Sequence, residues 1–400
     1  MRLRLAGALR PTGMPRLFPQ SMQRMLTVSL TFDSPAPEET DNYFQVVAPD
    51  GTRRPCPELD EWVKDLDVPA LEKLYIDMAC IRRLDMEGTA LQRQGELGLW
   101  APLLGQEASQ IGSGRALEHD DFIFPSYREH GVAYCRGIDP HDLLRMWRGA
   151  APSGWNPYEV NMANQQIVIG AQTLHAAGYA MGLKFDGSQA AAIAYFGDGA
   201  TSQGDVSEAM VFAASYQAPV VFFCQNNHWA ISEPVSTQTT GYIADRAAGF
   251  GLATWRVDGN DVIAVMAATR AALAHVRTGS GPAFIEAVTY RMGAHTTADD
   301  PTRYRDALEL EEWAAKDPLD RIAAHLGGLG ADLEELKQRT EKATNDMAAG
   351  LREAITSMPD PEVEDLFTNV YSHPHPRLDE QRENYANYLS GFAQEAEAAK

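Results

Sequence analysis

Cysteine is scarce in this sequence: four in 400 residues. Cys56, Cys80, Cys135 and Cys224 stand far apart and never as CxxC, so no zinc or iron–sulfur ligand pattern is written in the chain. Cys80 and Cys224 fall in apolar periodic stretches and read as buried thiols, in keeping with a reducing compartment. Positive charge is short as well. Lysine and arginine number 34 against 55 acidic residues, a net charge of −21. Such a surface repels nucleic acid and anionic membrane, so neither is expected as a partner. Any bound anion must be held by local groups against that field. Long apolar runs are also missing: nothing approaches the ~18 residues of a membrane-spanning helix. No internal repeat is visible.

What is present is an ordinary apolar content of 44%, enough for a sizeable core. The length allows two to three domains, or one large α/β domain with extensions. Residues 1–25 carry five arginines and no lysine or acidic residue, somewhat like a transit peptide. Proline and glycine interruptions argue against a long amphipathic presequence. The expectation is a cytoplasmic protein with a flexible tail over residues 1–42.

The most informative stretch runs from Ala191 to Trp229. Two apolar runs, Ala191–Phe196 and Pro219–Cys224, have the length of buried parallel strands. Between them, Val206, Ala209, Met210 and Ala213 recur at helical spacing. Gly197-Asp198-Gly199 ends the first strand and Asn226-Asn227 ends the second. Ligands of open α/β sheets collect at the carboxyl ends of strands, so both motifs fall on one functional edge. Each alone is a common turn sequence. Together they suit a diphosphate held through Mg²⁺, which takes oxygen ligands at roughly 2.0–2.1 Å. Asp198 supplies a carboxylate and Asn227 an amide oxygen, while Gly197 and Gly199 allow close backbone approach. The helix that follows adds free N–H groups.

GDG, then 26 residues, then NN resembles the thiamine-diphosphate motif. The text GDGATSQGD and FFCQNNHWAIS is similar to the alpha subunit of the decarboxylating component of 2-oxo acid dehydrogenase complexes. The branched-chain and pyruvate types are its nearest relatives. The resemblance implies thiamine diphosphate and Mg²⁺ as cofactors, with the Trp229 main-chain oxygen as a third metal ligand beside Asp198 and Asn227. It places Gly197, Asp198, Gly199 and Ala200 against the cofactor. Many relatives have an arginine before the two asparagines, touching phosphate; Gln225 stands here instead, which throws more weight on Arg128.

Other segments carry the same resemblance. Asp67, Pro69 and the periodic Leu71, Leu74, Tyr75, Met78 and Ile81 mark a long helix ending near Gly95. A second helix opens at Gly105 and runs to about Leu117. The stretch Asp120–Val132 contains Tyr127 and Arg128, the pair that contacts the diphosphate in the family; a guanidinium offers phosphate a planar fork of donors. Gly154–Ala163 reads as loop. Ala171–Met181 reads as a helix of small residues made for close packing. Just before it, Ile167 and Ile169 occupy cofactor-contact positions, and Ala171 replaces the threonine that helps hold potassium in relatives. Thr254–Val257 and Ala283–Tyr290 are strands flanking a helix over Asp261–Thr278.

The loop Arg291–Arg305, RMGAHTTADDPTRYR, leaves the last strand. In the family it lies over the active site and carries an arginine and a histidine, here Arg291 and His295, both expected to be catalytic. Histidine suits proton transfer around the cofactor adduct or to a lipoyl sulfur. Asp299, Asp300 and Tyr304 are expected to order the loop.

The fold class that results is α/β: a parallel sheet flanked by helices, the thiamine-diphosphate-binding fold, with a helical C-terminal extension. Boundaries are expected at 43–310 for the phosphate-binding α/β domain and 311–400 for the helices. Because one such domain cannot also supply the carboxylate that activates the aminopyrimidine, the resemblance implies a separate beta subunit in an α₂β₂ heterotetramer. It also implies a lipoyl acyltransferase partner and a small 2-oxo acid substrate, 2-oxoisovalerate or pyruvate. Acetoin dehydrogenase and transketolase-like chemistry share the cofactor and remain alternatives, as does a non-catalytic Mg²⁺–phosphate-binding module.

Overall fold

The computed structural model describes residues 42–398, apart from residues 152 and 369. The expected tail over 1–42 therefore lies outside the described residues, except for Asn42. Seven strands are described: β1 (Phe122–Phe124), β2 (Ala192–Gly197), β3 (Val220–Asn226), β4 (Trp229–Ala230), β5 (Glu233–Pro234), β6 (Ala253–Asp258) and β7 (Ala283–Val288). Five of them form one parallel sheet in the order β1-β2-β3-β7-β6, and β4 with β5 makes a small antiparallel hairpin.

The near-continuous apolar runs of β2 and β3 follow from burial on both faces. Ile193, Tyr195, Val221, Phe223 and Ile285 join the larger core on one side, with helices Glu107–Ala116 and Val262–Arg277. Ala192, Ala194, Phe196, Val220, Phe222 and Phe284 point the other way, onto helices Ala171–Phe185 and Gly204–Tyr216. The small residues of the first of these helices serve that contact: Ala176, Ala177 and Ala180 are buried against the sheet, whereas Gly178 meets open space.

The edge strand β6 is covered by the chain entering at Tyr43. Phe44 pairs with Val257, and its N–H donates to the Arg256 carbonyl at 2.8 Å. Asp261 locks this arrangement. Its carboxylate caps helix Val262–Arg277 through Ile263 N (3.0 Å) and Ala264 N (3.1 Å). It also accepts Val46 N at 2.7 Å and Val47 N at 2.6 Å.

The charged C-terminal segments do not stand apart. Leu336, Leu351 and Ile355 of helix Leu333–Ser357 enter the main core beside helix Val68–Arg93. Arg352 grips the buried Glu87 of that helix with two hydrogen bonds, at 2.7 and 2.5 Å. Arg321 of helix Pro318–Gly328 pairs with the buried Asp258 at 2.6 Å. Some elements differ from the sequence expectation. Helices Pro140–Arg148 and Ile243–Gly249 are additional, the segment 154–163 contains the helical turn Pro157–Val160, and the small-residue helix runs on to Phe185.

Asp261→Ala removes the acceptor for four backbone N–H groups, two of them in another segment. It is expected to destabilise the chain by about 2–4 kcal/mol, read as a lowered midpoint in urea. A loss under about 0.5 kcal/mol would contradict the role given to Asp261.

Candidate functional site

Four strand ends of the sheet feed one cavity of about 420 Å³. β1 leads to Tyr127 and Arg128, β2 to Gly197 and Asp198, β3 to Asn227, and β7 to Arg291. This is where a parallel sheet collects ligands, because the strand ends leave open a crevice lined by loops. Every site residue expected from the sequence lines the cavity: Tyr127, Arg128, Ile167, Ile169, Gly197, Asp198, Gly199, Ala200, Gln225, Asn227, Trp229, Arg291 and His295. Asn226 does not. Its side chain turns away to donate to the buried Glu286 at 2.8 Å, which anchors the β3 end.

Asp198 is 1% exposed, and burial pushes its carboxyl above the usual range. Donors from Gln238 Nε2 (3.0 Å) and Asn227 N (3.3 Å) and the charge of His228 work in the other direction. The oxygen and nitrogen of the Asn227 amide can be assigned either way round. With its nitrogen donating to Gln106 Oε1 at 3.1 Å, its oxygen faces Asp198 Oδ1 at 3.3 Å and the Trp229 carbonyl at 3.2 Å. Reversed, the nitrogen would donate to both. In the first orientation three oxygens converge with no hydrogen between them. Oxygens of a carboxylate, an amide and a carbonyl so placed are of the kind a hard cation takes as ligands.

The hairpin β4–β5 crowds this corner. A Cβ on Gly199 would come within 2.7 Å of Ala230 Cβ, so only glycine allows the turn after Asp198 to pack there. His228 and Ile231 both have left-handed backbones, φ 70° and 56°. For the β-branched Ile231 this is costly, and it is imposed from outside. Arg291 donates to the Trp229 carbonyl at 2.9 Å and the Ile231 carbonyl at 2.8 Å, pinning the hairpin. Burial and the neighbouring Arg128 lower the Arg291 pKa to about 10, which leaves it charged at neutral pH.

His295 lies between two guanidiniums. Its Nδ1 is 3.3 Å from Arg128 Nη2 and 3.3 Å from Arg291 Nη1. Guanidinium nitrogens only donate, so Nδ1 must accept and the ring hydrogen resides on Nε2. Burial and the two arginines depress the imidazole pKa to about 3. The ring is therefore neutral at physiological pH, with Nε2–H as the group it has left to offer. The loop is ordered as expected. Asp299 Oδ2 accepts the His295 N–H at 2.8 Å and the Tyr304 hydroxyl at 2.5 Å, and Asp300 caps the short turn Pro301–Arg303.

Arg128 is tied to the Pro102 and His295 carbonyls, the latter at 2.9 Å. Gln225 has less freedom than an arginine there would have. Its nitrogen donates to Glu129 at 2.7 Å and its oxygen accepts from Gln110 at 3.2 Å, leaving one N–H. Sequence reasoning missed several lining residues: Leu99, Ala101, Gln106, Ser126, Glu129, Trp147 and Gln172. Glu129, two residues after Tyr127, is 1% exposed and pushed up by burial. The sequence shows an acid next to the Tyr-Arg pair, but only the fold shows that it is buried; the others carried no local signal.

Fold and site together define an α/β enzyme component with a cavity, lined by charged and polar side chains, at the carboxyl ends of its strands. The chain belongs to the family of the dehydrogenase E1 component, whose family model matches residues 76–364. It is 45% identical over 340 residues to 3-methyl-2-oxobutanoate dehydrogenase subunit alpha of Mycobacterium tuberculosis, covering 85% of this chain and 92% of the relative. It is 41% identical over 324 residues to pyruvate dehydrogenase E1 component subunit alpha of Bacillus subtilis, covering 80% of this chain and 87% of the relative. The Staphylococcus aureus protein of the same name is also 41% identical, over 321 residues.

His295 gives a pH expectation. Between about pH 3 and the ordinary value of 6.5 the folded chain binds fewer protons at this residue than the unfolded chain. The group therefore erodes stability as pH falls through 6.5. At pH 5, ¹⁵N NMR of labelled histidine is expected to show His295 neutral and protonated at Nε2. A charged imidazole at pH 5 would refute the placement.

Proposed function

We propose that the chain is the alpha subunit of the thiamine-diphosphate-dependent decarboxylating component of a 2-oxo acid dehydrogenase complex, acting on 2-oxoisovalerate. The observation that carries it is the convergence of Asp198 Oδ1, Asn227 Oδ1 and the Trp229 carbonyl beside Arg128 and His295. The donor set fits Mg²⁺: one carboxylate, one amide and one carbonyl, with Arg291 using one lone pair of the Trp229 oxygen and leaving the other. The 45% identity to a 3-methyl-2-oxobutanoate dehydrogenase subunit alpha supports the branched-chain acid. The 41% identity to pyruvate dehydrogenase subunits supports pyruvate as the second reading.

In this reading Asp198, Asn227 and the Trp229 carbonyl hold Mg²⁺. Gly197, Gly199 and Ala200 bring backbone close to the diphosphate, and Tyr127, Arg128 and the free N–H of Gln225 face it. Ile167 and Ile169 form the apolar wall. When bound, thiamine diphosphate supplies the electron sink for decarboxylation. Arg291 fixes the hairpin, and His295 presents its Nε2–H to the reacting groups while its Nδ1 is held by the two arginines. A neutral imidazole acts here as a hydrogen-bond donor and proton holder, not as an imidazolium.

Completion of the site falls to a beta subunit in an α₂β₂ heterotetramer that passes the acyl group to a lipoyl acyltransferase. Ile167 is 63% exposed and Val168 65%, and Ile169 and Ile231 are exposed with them. Large apolar side chains around a cavity mouth suit a protein partner. Residues 43–310 then form the phosphate-binding domain and 311–400 its helical extension, in a cytoplasmic enzyme whose four cysteines are free.

Two experiments test this. The chain with Mg²⁺ and thiamine diphosphate alone should not turn over 2-oxo acids with an artificial electron acceptor. Co-expressed with its beta subunit it should prefer 2-oxoisovalerate over pyruvate by about ten-fold or more in kcat/KM. Full activity of the chain alone would overturn the subunit assignment, and a preference for pyruvate would favour the second reading. Separately, Asp198→Ala should weaken Mg²⁺-dependent thiamine diphosphate binding by at least about 10²-fold, more than loss of an outer-shell group costs, with an unchanged circular dichroism spectrum. Wild-type affinity would sink the metal assignment.

A further inference from the structure

One buried carboxylate outside the cavity connects to it by a short chain of contacts. Asp85 lies in the middle of helix Val68–Arg93 and is 3% exposed. Its two oxygens take different partners. Oδ1 accepts the Trp100 indole N–H at 2.7 Å, and Oδ2 accepts the Leu104 backbone N–H at 3.0 Å. Both ends of the segment Trp100–Leu104 are thus fastened to one side chain. Below, the indole lies flat on the helix, where a Cβ on Gly88 would come within 2.5 Å of the ring. Above, it stacks on His130 with centroids 4.2 Å apart.

The other edge of the same segment is used by the site. The Trp100 carbonyl accepts Thr297 N at 2.9 Å, and Trp100 N donates to Thr297 Oγ1 at 3.1 Å. The Leu104 carbonyl accepts Met292 N at 2.9 Å. Between them the Pro102 carbonyl accepts from Arg128. Met292 and Thr297 flank His295 on either side. The carbonyls of residues 100, 102 and 104 therefore set both ends of the histidine loop and the arginine that holds the histidine ring.

We propose that Asp85 is a positioning residue: its carboxylate fixes the segment Trp100–Leu104, and through that segment the placement of His295 and Arg128. Asp85 makes no side-chain hydrogen bond to a residue that lines the cavity. Its two oxygens are matched to two donors that no single-acceptor side chain could serve.

Asp85→Asn replaces one acceptor oxygen by a donor and leaves one buried N–H facing it. Trp100→Phe keeps an aromatic ring against His130 while removing the indole N–H with part of the ring, so it decides the matter if the first variant fails to fold. The first readout is tryptic cleavage of the full chain after Arg303 and Arg305 in the loop, against cleavage after Arg83 and Arg93 in the helix. A buried donor without an acceptor should speed cleavage in the loop by about ten-fold, with the helix sites unchanged. The second readout is turnover with the beta subunit, which rests on the 2-oxo acid reading as the cleavage does not. There kcat should fall by about 10²-fold while KM stays within about three-fold. Loop cleavage at the wild-type rate in a folded variant overturns the proposal. So does equal acceleration at loop and helix sites, which would make Asp85 only a structural group. Faster loop cleavage with no 2-oxo acid turnover in the wild-type complex would leave the proposal standing and remove the reaction assigned to the site.

Discussion

The structure depends on keeping two buried guanidiniums charged in the wall of a cavity of an acidic protein. Burying an ion costs several kcal/mol unless its hydrogens find partners. Arg128 and Arg291 meet this cost with carbonyls, those of Pro102, His295, Trp229 and Ile231, and with the imidazole Nδ1 between them. These acceptors are neutral. They take most of the guanidinium hydrogens, though not the Arg291 Nε–H, without an ion pair, so two positive charges stand in a cavity that also holds Asp198 and Glu129, in a chain that as a whole carries −21. An anion entering it meets charges that are already desolvated and oriented, and the reorganisation that water would require is avoided.

Because the partners are backbone carbonyls, chain geometry becomes part of the electrostatics. Trp229 and Ile231 must turn their carbonyls toward Arg291, and the left-handed Ile231 is the local consequence. The Pro102 carbonyl must be held steady, which brings in Trp100, Leu104 and the carboxylate of Asp85. Helix Val68–Arg93 carries Asp85 and is itself braced by the C-terminal segments through Arg82–Asp317 and Arg352–Glu87. Exposed pairs of this kind contribute little, but Glu87 is buried and bidentately held. Helices far from the cavity in sequence thereby stabilise the frame on which the histidine loop rests.

What was legible in the sequence had a local cause. β2 and β3 follow from apolar runs of strand length, and helix 68–93 from the Asp67 cap and its periodic leucines. The meeting of Asp198 and Asn227 at one corner of the cavity follows from GDG and NN at successive strand ends. Helix Pro140–Arg148 had a local cause too: its own start and stop, Asp139-Pro140 and a left-handed Gly149, and Leu143, Leu144 and Trp147 buried on one face. Other features have no local cause. Gln238 reaches Asp198 across 40 positions, and Asp85 reaches Trp100 across a turn that only the tertiary fold closes. The neutral state of His295 is of this kind too, since it follows from two arginines, one of them 167 positions away.

The rim of the cavity closes the physical account. Ile167, Val168, Ile169 and Ile231 hold apolar surface in water at the place where the polar groups inside most need water excluded. Electrostatic attraction for an anion is weak in a wet cleft and strong in a dry one. Covering these four side chains removes apolar area from water and dries the cavity in one step, so association and activation draw on the same burial. A partner seated on this rim would therefore be coupled to the polar groups inside through the short stretch of backbone from Ile167 to Ile169 and the strained hairpin that ends at Ile231.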